Sequence, residues 1–363
     1  MIYKQMGSTG KKVSAVGFGA MRFPKEEYDK DLDICAELVV KAVGMGINYI
    51  DTAPGYCEDK SELIVGRALS QMKEKPYIST KCGLWNANRA SSARHRIEQS
   101  LKALGTDKIT FYNMWCIKNM DEYQQMTRKD GNFYGILKAK EERLVEHICC
   151  TVHADGETIS KIIADGKVDV VTLGYNALNF AYRREGVKAC YEKGLGVVVM
   201  NPLGGGVIPQ YAGKFSFLKT SPEETVATAA LKFLIGHPEI SVTLPGISNL
   251  RELEECVAAA GNVTPVTEER LAEMSKLLGK ELDTLCTGCQ YCDECPEGVP
   301  IPQLLDAYNG YILSGDKKEV KQRLGMHWGL SPDTAAACTQ CGRCEPLCTQ
   351  KLPIIERLAE ICS

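Results

Sequence analysis

The residues with the most specific chemistry in this sequence are cysteines. CTGCQYCDECP sets Cys286, Cys289, Cys292 and Cys295 at a repeating two-residue spacing, with Pro296 after the last. CTQCGRCEPLC sets Cys338, Cys341, Cys344 and Cys348 in C-x2-C-x2-C-x3-C order. Thiolates spaced this way line one face of a compact turn and can hold three corners of an iron–sulfur cube, while the fourth cysteine of each run crosses to the other cube. The spacing assigns Cys286, Cys289, Cys292 and Cys348 to one [4Fe–4S] cluster, and Cys338, Cys341, Cys344 and Cys295 to a second. Zinc also takes C-x2-C pairs, but it wants two pairs rather than two consecutive runs of four. Disulfides are the third possibility. The opening MIYKQMGSTGKKV has no apolar h-region of an export signal, so a reducing, cytoplasmic and oxygen-poor (anaerobic) setting is expected instead. The other nine of the 17 cysteines are scattered and are expected to be reduced thiols in or near the core.

A second group carries acid–base chemistry: Asp51 after INYI, Tyr56 five residues on, and Lys81 at the end of YISTK. A carboxylate that holds an ammonium keeps the lysine charged and oriented. The ammonium in turn lowers a nearby phenol from about 10 toward the working range. Such a phenol can pass a proton to a carbonyl oxygen as hydride reaches the carbon. On spacing alone a plainer reading stays open, with Asp51 capping a turn and Tyr56 a half-buried aromatic.

The elements that position these residues alternate between short β-branched runs and longer amphipathic ones. Strands are expected at AVGFGA (15–20), INYIDTA (47–53), YISTK (77–81), ITFYNMW (109–115), HICCTV (147–152), VDVVTLGY (168–175), LGVVVMN (195–201) and ISVTL (240–244). Helical periods separate them, as in DLDICAELVVKAVGMG and ETISKIIADG, with Gly at several helix ends. Eight strand–helix units in roughly 250 residues fit an α/β (β/α)8 TIM barrel, whose chemistry sits at the strand C-termini. An open doubly wound sheet normally shows G-x-G-x-x-G after its first strand, and VGFGAMRFP has no third glycine. YKQMGSTGKKVS reads as a hairpin able to plug the barrel floor, and residues 121–136 as a polar, irregular insert at the mouth. Past about residue 275 the pattern changes. PQLLDAYNGYILSG and KKEVKQRLGMHWG are helical in period, so the expected division is a barrel over 1–278 and a small, mostly helical two-cluster domain over 279–363.

Composition excludes other classes. Hydrophobic content of 44% and charged content of 25% are ordinary for a globular chain. A net charge of −3 argues against nucleic acid or an anionic membrane as partner. No apolar run approaches the ~20 residues of a membrane span.

VSAVGFGAMR, INYIDTAPGY, ISTK, GVVVMNPLGGG and VTLPGISNL resemble the aldo/keto reductase superfamily across the whole barrel. With CTGCQYCDECP, the resemblance is to its iron–sulfur branch, whose members carry a C-terminal two-cluster ferredoxin-type module. It implies carbonyl reduction by NAD(P)H through an Asp–Tyr–Lys–His tetrad, and Asp51, Tyr56 and Lys81 fall on the first three positions. The family's His ends the fourth strand in a pattern like F-Y-L-L-H, whereas FYNMWC puts Trp115 there. An indole donates one hydrogen bond, accepts none and does not titrate. In the superfamily, losing that His goes with altered chemistry, including reduction of C=C bonds conjugated to a carbonyl. His153, ending the fifth strand, is the candidate replacement, and a structural histidine is the plainer alternative.

For the cofactor, the likeness implies contacts from Thr151 and Thr172, where Ser and Gln are usual, and from Asn201, Gly246, Ser248 and Asn249. PGISNLRELEEC lacks the basic cluster that grips a 2′-phosphate and has Cys256 where an Asn usually meets adenine. Glu252 and Glu255 there would repel a phosphate. The leading expectation is an oxidoreductase acting on a small carbonyl or enone, with the clusters relaying electrons to or from a ferredoxin or flavodoxin partner. Cluster-driven radical, C=C-reducing or elimination chemistry without nicotinamide is the second expectation. A catalytically silent electron-transfer subunit is the third.

Overall fold

The computed structural model describes residues 1–282, 284–286 and 288–363. Ten strands run in chain order: β1 (Tyr3–Gln5), β2 (Lys12–Ser14), β3 (Phe18–Gly19), β4 (Tyr49–Asp51), β5 (Tyr77–Gly83), β6 (Ile109–Ile117), β7 (Val145–Val152), β8 (Val170–Gly174), β9 (Gly196–Met200) and β10 (Val242–Leu244). The strands from β3 to β10 pair in parallel in sequence order. Bridges Val16–Thr243 and Gly19–Gly246 join the first to the last, and the Gly17 N–H donates to the Thr243 carbonyl at 2.9 Å. The sheet closes into the (β/α)8 barrel, and each of the eight expected strands is present at its place.

Side chains alternate across a strand, so every second residue points inward. Near the floor the inward positions are apolar: Tyr49, Phe111, Cys149, Val170, Val198 and Val242 form one buried cluster. The β1–β2 hairpin closes that end, as expected, by inserting fully buried Met6 into the cluster beside Val13. Gly7 makes the insertion possible. Its φ is +51° and a Cβ there would lie 2.4 Å from the Gly196 nitrogen. Two residues up strands β4 to β8 the inward positions turn polar, at Asp51, Ser79, Asn113, Thr151 and Thr172, and the chemistry begins there.

Residues 121–136 are not irregular. They fold into the helices Met120–Thr127 and Asn132–Glu141, the first capped by the Asn119 side chain accepting from the Glu122 N–H. Tyr123 and Met126 bury one face of the first helix, and Phe133 and Ile136 one face of the second. Each apolar pair is three residues apart, helical spacing that the polar residues between them conceal.

The chain divides into two compact units. The first holds Met1–Asn176, Phe180–Pro202 and Thr228–Val266, and the second Ala177–Asn179, Leu203–Ala227 and Thr267–Ser363. The expected break after residue 278 falls within the helix Glu268–Leu282. In the second unit the helices Ile301–Ser314 and Lys318–Arg323 follow the expected periods, a further helix spans Ile354–Cys362, and Leu304, Leu305, Leu324, Leu358 and Ile361 pack around Cys286, Cys292 and Cys348. Among the described residues no helix is long and apolar enough to cross a membrane. Seven cysteines outside the two motifs are buried, while Cys57 is half-buried and Cys362 exposed.

The hairpin plug is testable. Met6→Ala opens a cavity in the barrel floor and is expected to cost about 2–5 kcal/mol, read as a fall in the urea midpoint of barrel unfolding.

Candidate active site and cysteine loops

Strands β4, β5 and β6 bring the acid–base residues together. Lys81 Nζ donates to Asp51 Oδ2 at 2.6 Å, with both side chains buried. Ser79 Oγ donates to the other carboxylate oxygen at 2.8 Å, and Asn113 Nδ2 donates to Ser79 Oγ at 3.0 Å and to the Thr80 carbonyl at 3.1 Å. Ser79 and Asn113 each stand one inward position below Lys81 and Trp115. The period-two pattern would have located them, but the sequence reading went only to strand ends.

Tyr56 and Trp115 complete the wall. The Lys81 ammonium lies 4.9 Å from the Tyr56 ring centroid and 5.7 Å from that of Trp115. The two rings meet edge-on at 5.7 Å, and Trp85 lies against Trp115 at 4.7 Å. Trp85, not singled out in the sequence, is 60% exposed, and it fits because position 83 has no side chain: a Cβ on Gly83 would come within 2.4 Å of the indole. Trp115 precedes a bulge where β6 and β7 slip register and Cys116 takes a φ of +65°. The Thr151 hydroxyl pins that bulge by accepting from the Cys116 N–H at 2.7 Å. Thr172, its neighbour on β8, is buried, and its hydroxyl has no protein partner.

Burial would pull the Lys81 ammonium down, but the Asp51 carboxylate and Tyr56 outweigh it and hold the lysine above its usual value. Tyr56 departs from the expected direction. Lys81 lowers the phenol, yet burial raises it more, and the net shift is upward. At neutral pH the site therefore holds a charged lysine and a protonated phenol, the pair a proton donor requires. His153 is also buried, and burial, with Arg183, Lys118 and Lys81 around it, pushes its imidazole down to about 3. It is neutral at physiological pH and cannot act there as an imidazolium acid.

The remaining nucleotide-side residues follow the last two strands. Asn201, at the end of β9, takes a φ of +56°, and its carbonyl accepts from Asn176 at 2.9 Å. Gly246 bridges Gly19, with the stem of Arg22 against it. Ser248 and Asn249 open the helix Leu250–Ala259, where Asn249 Oδ1 accepts from the Glu252 N–H at 3.0 Å. Glu252 reaches back, and its Oε2 accepts from both the Ser248 N–H and the Ser248 hydroxyl at 2.8 Å. The helix start where a phosphate would be received already holds an internal carboxylate. Cys256 is a buried neutral thiol, raised to about 12 by burial and by Glu255 and Glu252. A separate cleft of about 260 Å³, lined by Lys75, Tyr77, Lys108 and Glu146, lies at the barrel floor and holds none of these groups.

In the second unit Cys286, Cys289, Cys292 and Cys348 lie within electrostatic range of one another. Cys292 and Cys348 both interact with Cys289, and Cys292 also with Cys286 and Cys348. Cys295, Cys338, Cys341 and Cys344 line one cavity with Leu347 and Leu358, and Cys292 lies at its edge. The loops wind alike: the second and fourth residues after the leading cysteine are left-handed in both, Gly288 and Gln290 in one, Gln340 and Gly342 in the other. Backbone amides donate to sulfur at both ends of the first set, one from that turn and one beyond Cys348. Gly288 N–H donates to Cys286 Sγ at 3.5 Å, and Leu352 N–H to Cys348 Sγ at 3.4 Å. Asn309 clamps the first loop, accepting from the Cys286 N–H at 2.8 Å and donating to its carbonyl at 2.7 Å.

His153 gives a pH test. Between its ordinary value near 6.5 and about 3, the unfolded chain binds a proton that the folded one does not, so stability falls as pH drops through that window. The contribution is at most about 1.4 kcal/mol per pH unit. His153→Gln is expected to flatten the acid limb of the denaturant midpoint against pH.

Residues 15–278 match the aldo/keto reductase family, and residues 285–353 match the 4Fe-4S dicluster domain. NADH-specific methylglyoxal reductase of Escherichia coli strain K12 is 28% identical over 228 residues, 56% of this chain and 68% of that protein. L-galactose dehydrogenase of Arabidopsis thaliana is 28% identical over 303 residues, 76% of this chain and 93% of that one. The holo aldo-keto reductase AKR11C1 of Bacillus halodurans superposes with a TM-score of 0.64 at 20% identity, covering 76% of this chain and 96% of its own. A Klebsiella pneumoniae aldo/keto reductase in complex with NADP and acetate superposes at 0.61 with 19% identity, covering 76% and 94%.

Proposed function

Because this chain belongs to the aldo/keto reductase family and carries a C-terminal 4Fe-4S dicluster domain, we propose that its barrel interconverts a small carbonyl compound and its alcohol with Tyr56 as proton donor. The chain is an oxidoreductase of this type. What carries the reading is the buried Asp51–Lys81 pair with the ammonium set over the Tyr56 ring. Reducing a carbonyl to an alcohol takes two electrons and two protons. Tyr56 gives one proton to the oxygen, Lys81 stabilises the phenolate left behind, and Asp51 keeps Lys81 charged and in place. Trp115 and Trp85 wall the approach with aromatic surface and keep water from the oxygen. Trp115 supplies no titrating group.

When bound, NAD(P)H supplies hydride to the carbonyl carbon, and [4Fe–4S] clusters supply or accept single electrons. The unpartnered Thr172 hydroxyl inside the barrel fits a carboxamide, and Thr151 keeps a hydroxyl proton to donate beside it. Glu252, held on Ser248, opposes a 2′-phosphate, so NADH rather than NADPH is the proposed nucleotide. The NADH-specific methylglyoxal reductase among the relatives supports both that choice and a short aldehyde or ketone as substrate. Cys286, Cys289, Cys292 and Cys348 are the proposed ligands of one cluster, and Cys295, Cys338, Cys341 and Cys344 of the other. The dicluster-domain match, the nearness of the first four to one another, the cavity lined by the second four and the amide-to-sulfur hydrogen bonds at Cys286 and Cys348 support that assignment. Through them an external one-electron carrier of the ferredoxin or flavodoxin kind exchanges electrons with the protein, which points to a cytoplasmic, oxygen-poor setting.

The helix start occupied by Glu252, together with Trp115 in place of a titrating group, favours a second reading. In it the barrel works with cluster electrons alone, reducing C=C bonds or running radical or elimination chemistry. Turnover of methylglyoxal or an enone driven by a low-potential one-electron reductant, with no nicotinamide present, would select it.

On the leading reading, NADH titrated anaerobically binds more tightly than NADPH, and binding of neither removes the hydride step. Tyr56→Phe lowers kcat/KM for methylglyoxal by about 10²–10⁴-fold while nucleotide affinity holds. Activity unchanged in that variant would leave the barrel without a chemical role and make the chain an electron-transfer subunit.

A further inference from the structure

The two cysteine sets differ in their surroundings. Cys286, Cys292 and Cys348 are each about 7% exposed inside the apolar core of the second unit, whereas Cys341 is exposed and Cys295, Cys338 and Cys344 are half-buried. Among the described residues a buried cation lies near the inner set. Arg357, on the helix Ile354–Cys362, is 5% exposed, and its charge acts on both Cys286 and Cys348. Its guanidinium carbon stacks 5.1 Å over the Tyr308 ring, and one terminal nitrogen is buried with no hydrogen-bond partner. The Tyr308 hydroxyl donates to Glu360 at 2.6 Å, which ties the ring in place one turn further along the same helix.

A guanidinium stays charged in proteins, and burying one with a terminal nitrogen unpaired and only the half-exposed Glu360 carboxylate nearby is costly. A four-thiolate cubane carries net negative charge, and its reduction adds one more. A positive charge buried in the same core, within electrostatic range of two of its cysteines, offsets the cost of burying both and favours the reduced, more negative state. Net charge, burial and hydrogen bonds to sulfur are the levers that set such a potential.

Resting on the reading that these cysteines hold clusters, we propose that Arg357 is the built-in counter-ion of the Cys286/Cys289/Cys292/Cys348 centre and raises its reduction potential selectively. The step concerned is a one-electron reduction of that centre by an external low-potential donor, with no bond made or broken at Arg357. Arg357 is a positioning and tuning residue and touches no substrate.

The test is potentiometric titration of the anaerobically purified full chain with dithionite as reductant, followed by electron paramagnetic resonance. Iron and acid-labile sulfide are assayed on the same samples. Wild-type protein is expected to hold about eight of each, as two four-iron cubes require. In Arg357→Gln one of the two midpoints is expected to move to more negative potential, by a roughly tenfold fall in the reduced-to-oxidised ratio, about 59 mV for one electron. The other midpoint stays where it was. Arg357→Lys, which keeps the charge, is expected to stay within about twofold of wild type. Glu360→Gln, a half-exposed change that removes a carboxylate beside Arg357, is expected to move the same midpoint the other way, and it reads the proposal even if Arg357→Gln fails to load iron. Full iron with both midpoints unmoved in the variants overturns the counter-ion role and leaves the cluster assignment standing. Equal shifts in Arg357→Gln and Arg357→Lys also overturn it, because packing would then be the cause. Wild-type protein with far less iron removes the cluster assignment and the proposal with it.

Discussion

A lysine ammonium and an aspartate carboxylate shut inside a barrel are costly to desolvate and costlier to separate. Removing one partner of such a pair strands the other charge and typically costs about 3–5 kcal/mol. The Asp51–Lys81 pair is kept because its remaining hydrogen-bonding capacity is used. Ser79 covers the second carboxylate oxygen, Asn113 holds Ser79, and the free side of the ammonium is turned to two aromatic rings. All of these groups but Tyr56, which lies in the turn after β4, come from neighbouring strands at inward positions, so strand register sets much of the chemistry. Asp51 pairs with Ser79 and Lys81 with Asn113 in the β4–β5 and β5–β6 ladders.

That arrangement needs a dry, rigid floor. The inward residues below it are apolar, and the β1–β2 hairpin seals the end with Met6. Water is excluded from beneath the ion pair, which strengthens its electrostatics. The upper rim is less regular. A bulge at Cys116, pinned by Thr151, follows Trp115, whose ring meets Tyr56 edge-on. Local backbone strain of this kind concentrates at functional sites.

The parts legible in the sequence were those set by local spacing. Cysteines three and four residues apart mark a 4Fe-4S dicluster domain without any knowledge of the fold, and β-branched runs mark barrel strands wherever both faces are buried. Legibility ended where burial or distant partners decide. The sign of the Tyr56 shift turns on how much water the fold removes, and proximity to Lys81 alone pointed the wrong way. The insert at 121–136 looked irregular because its apolar residues, Tyr123, Met126, Phe133 and Ile136, are sparse among polar ones. Glu252 was read as repelling phosphate, but nothing in PGISNLRELEEC shows that it would itself occupy the Ser248 amide. No feature of the sequence separates Arg357 from any other arginine on an amphipathic helix.

The account stands on Tyr56 being a protonated phenol governed by Lys81. Its most direct test is an ultraviolet difference titration of tyrosinate, wild type minus Tyr56→Phe, in the unmodified and Lys81→Met backgrounds. The expected phenol ionises above the ordinary tyrosine value of about 10, and higher again once Lys81 is replaced, because the ammonium that lowers it is gone. A phenol that titrates near neutrality, or one indifferent to the loss of Lys81, would contradict the account.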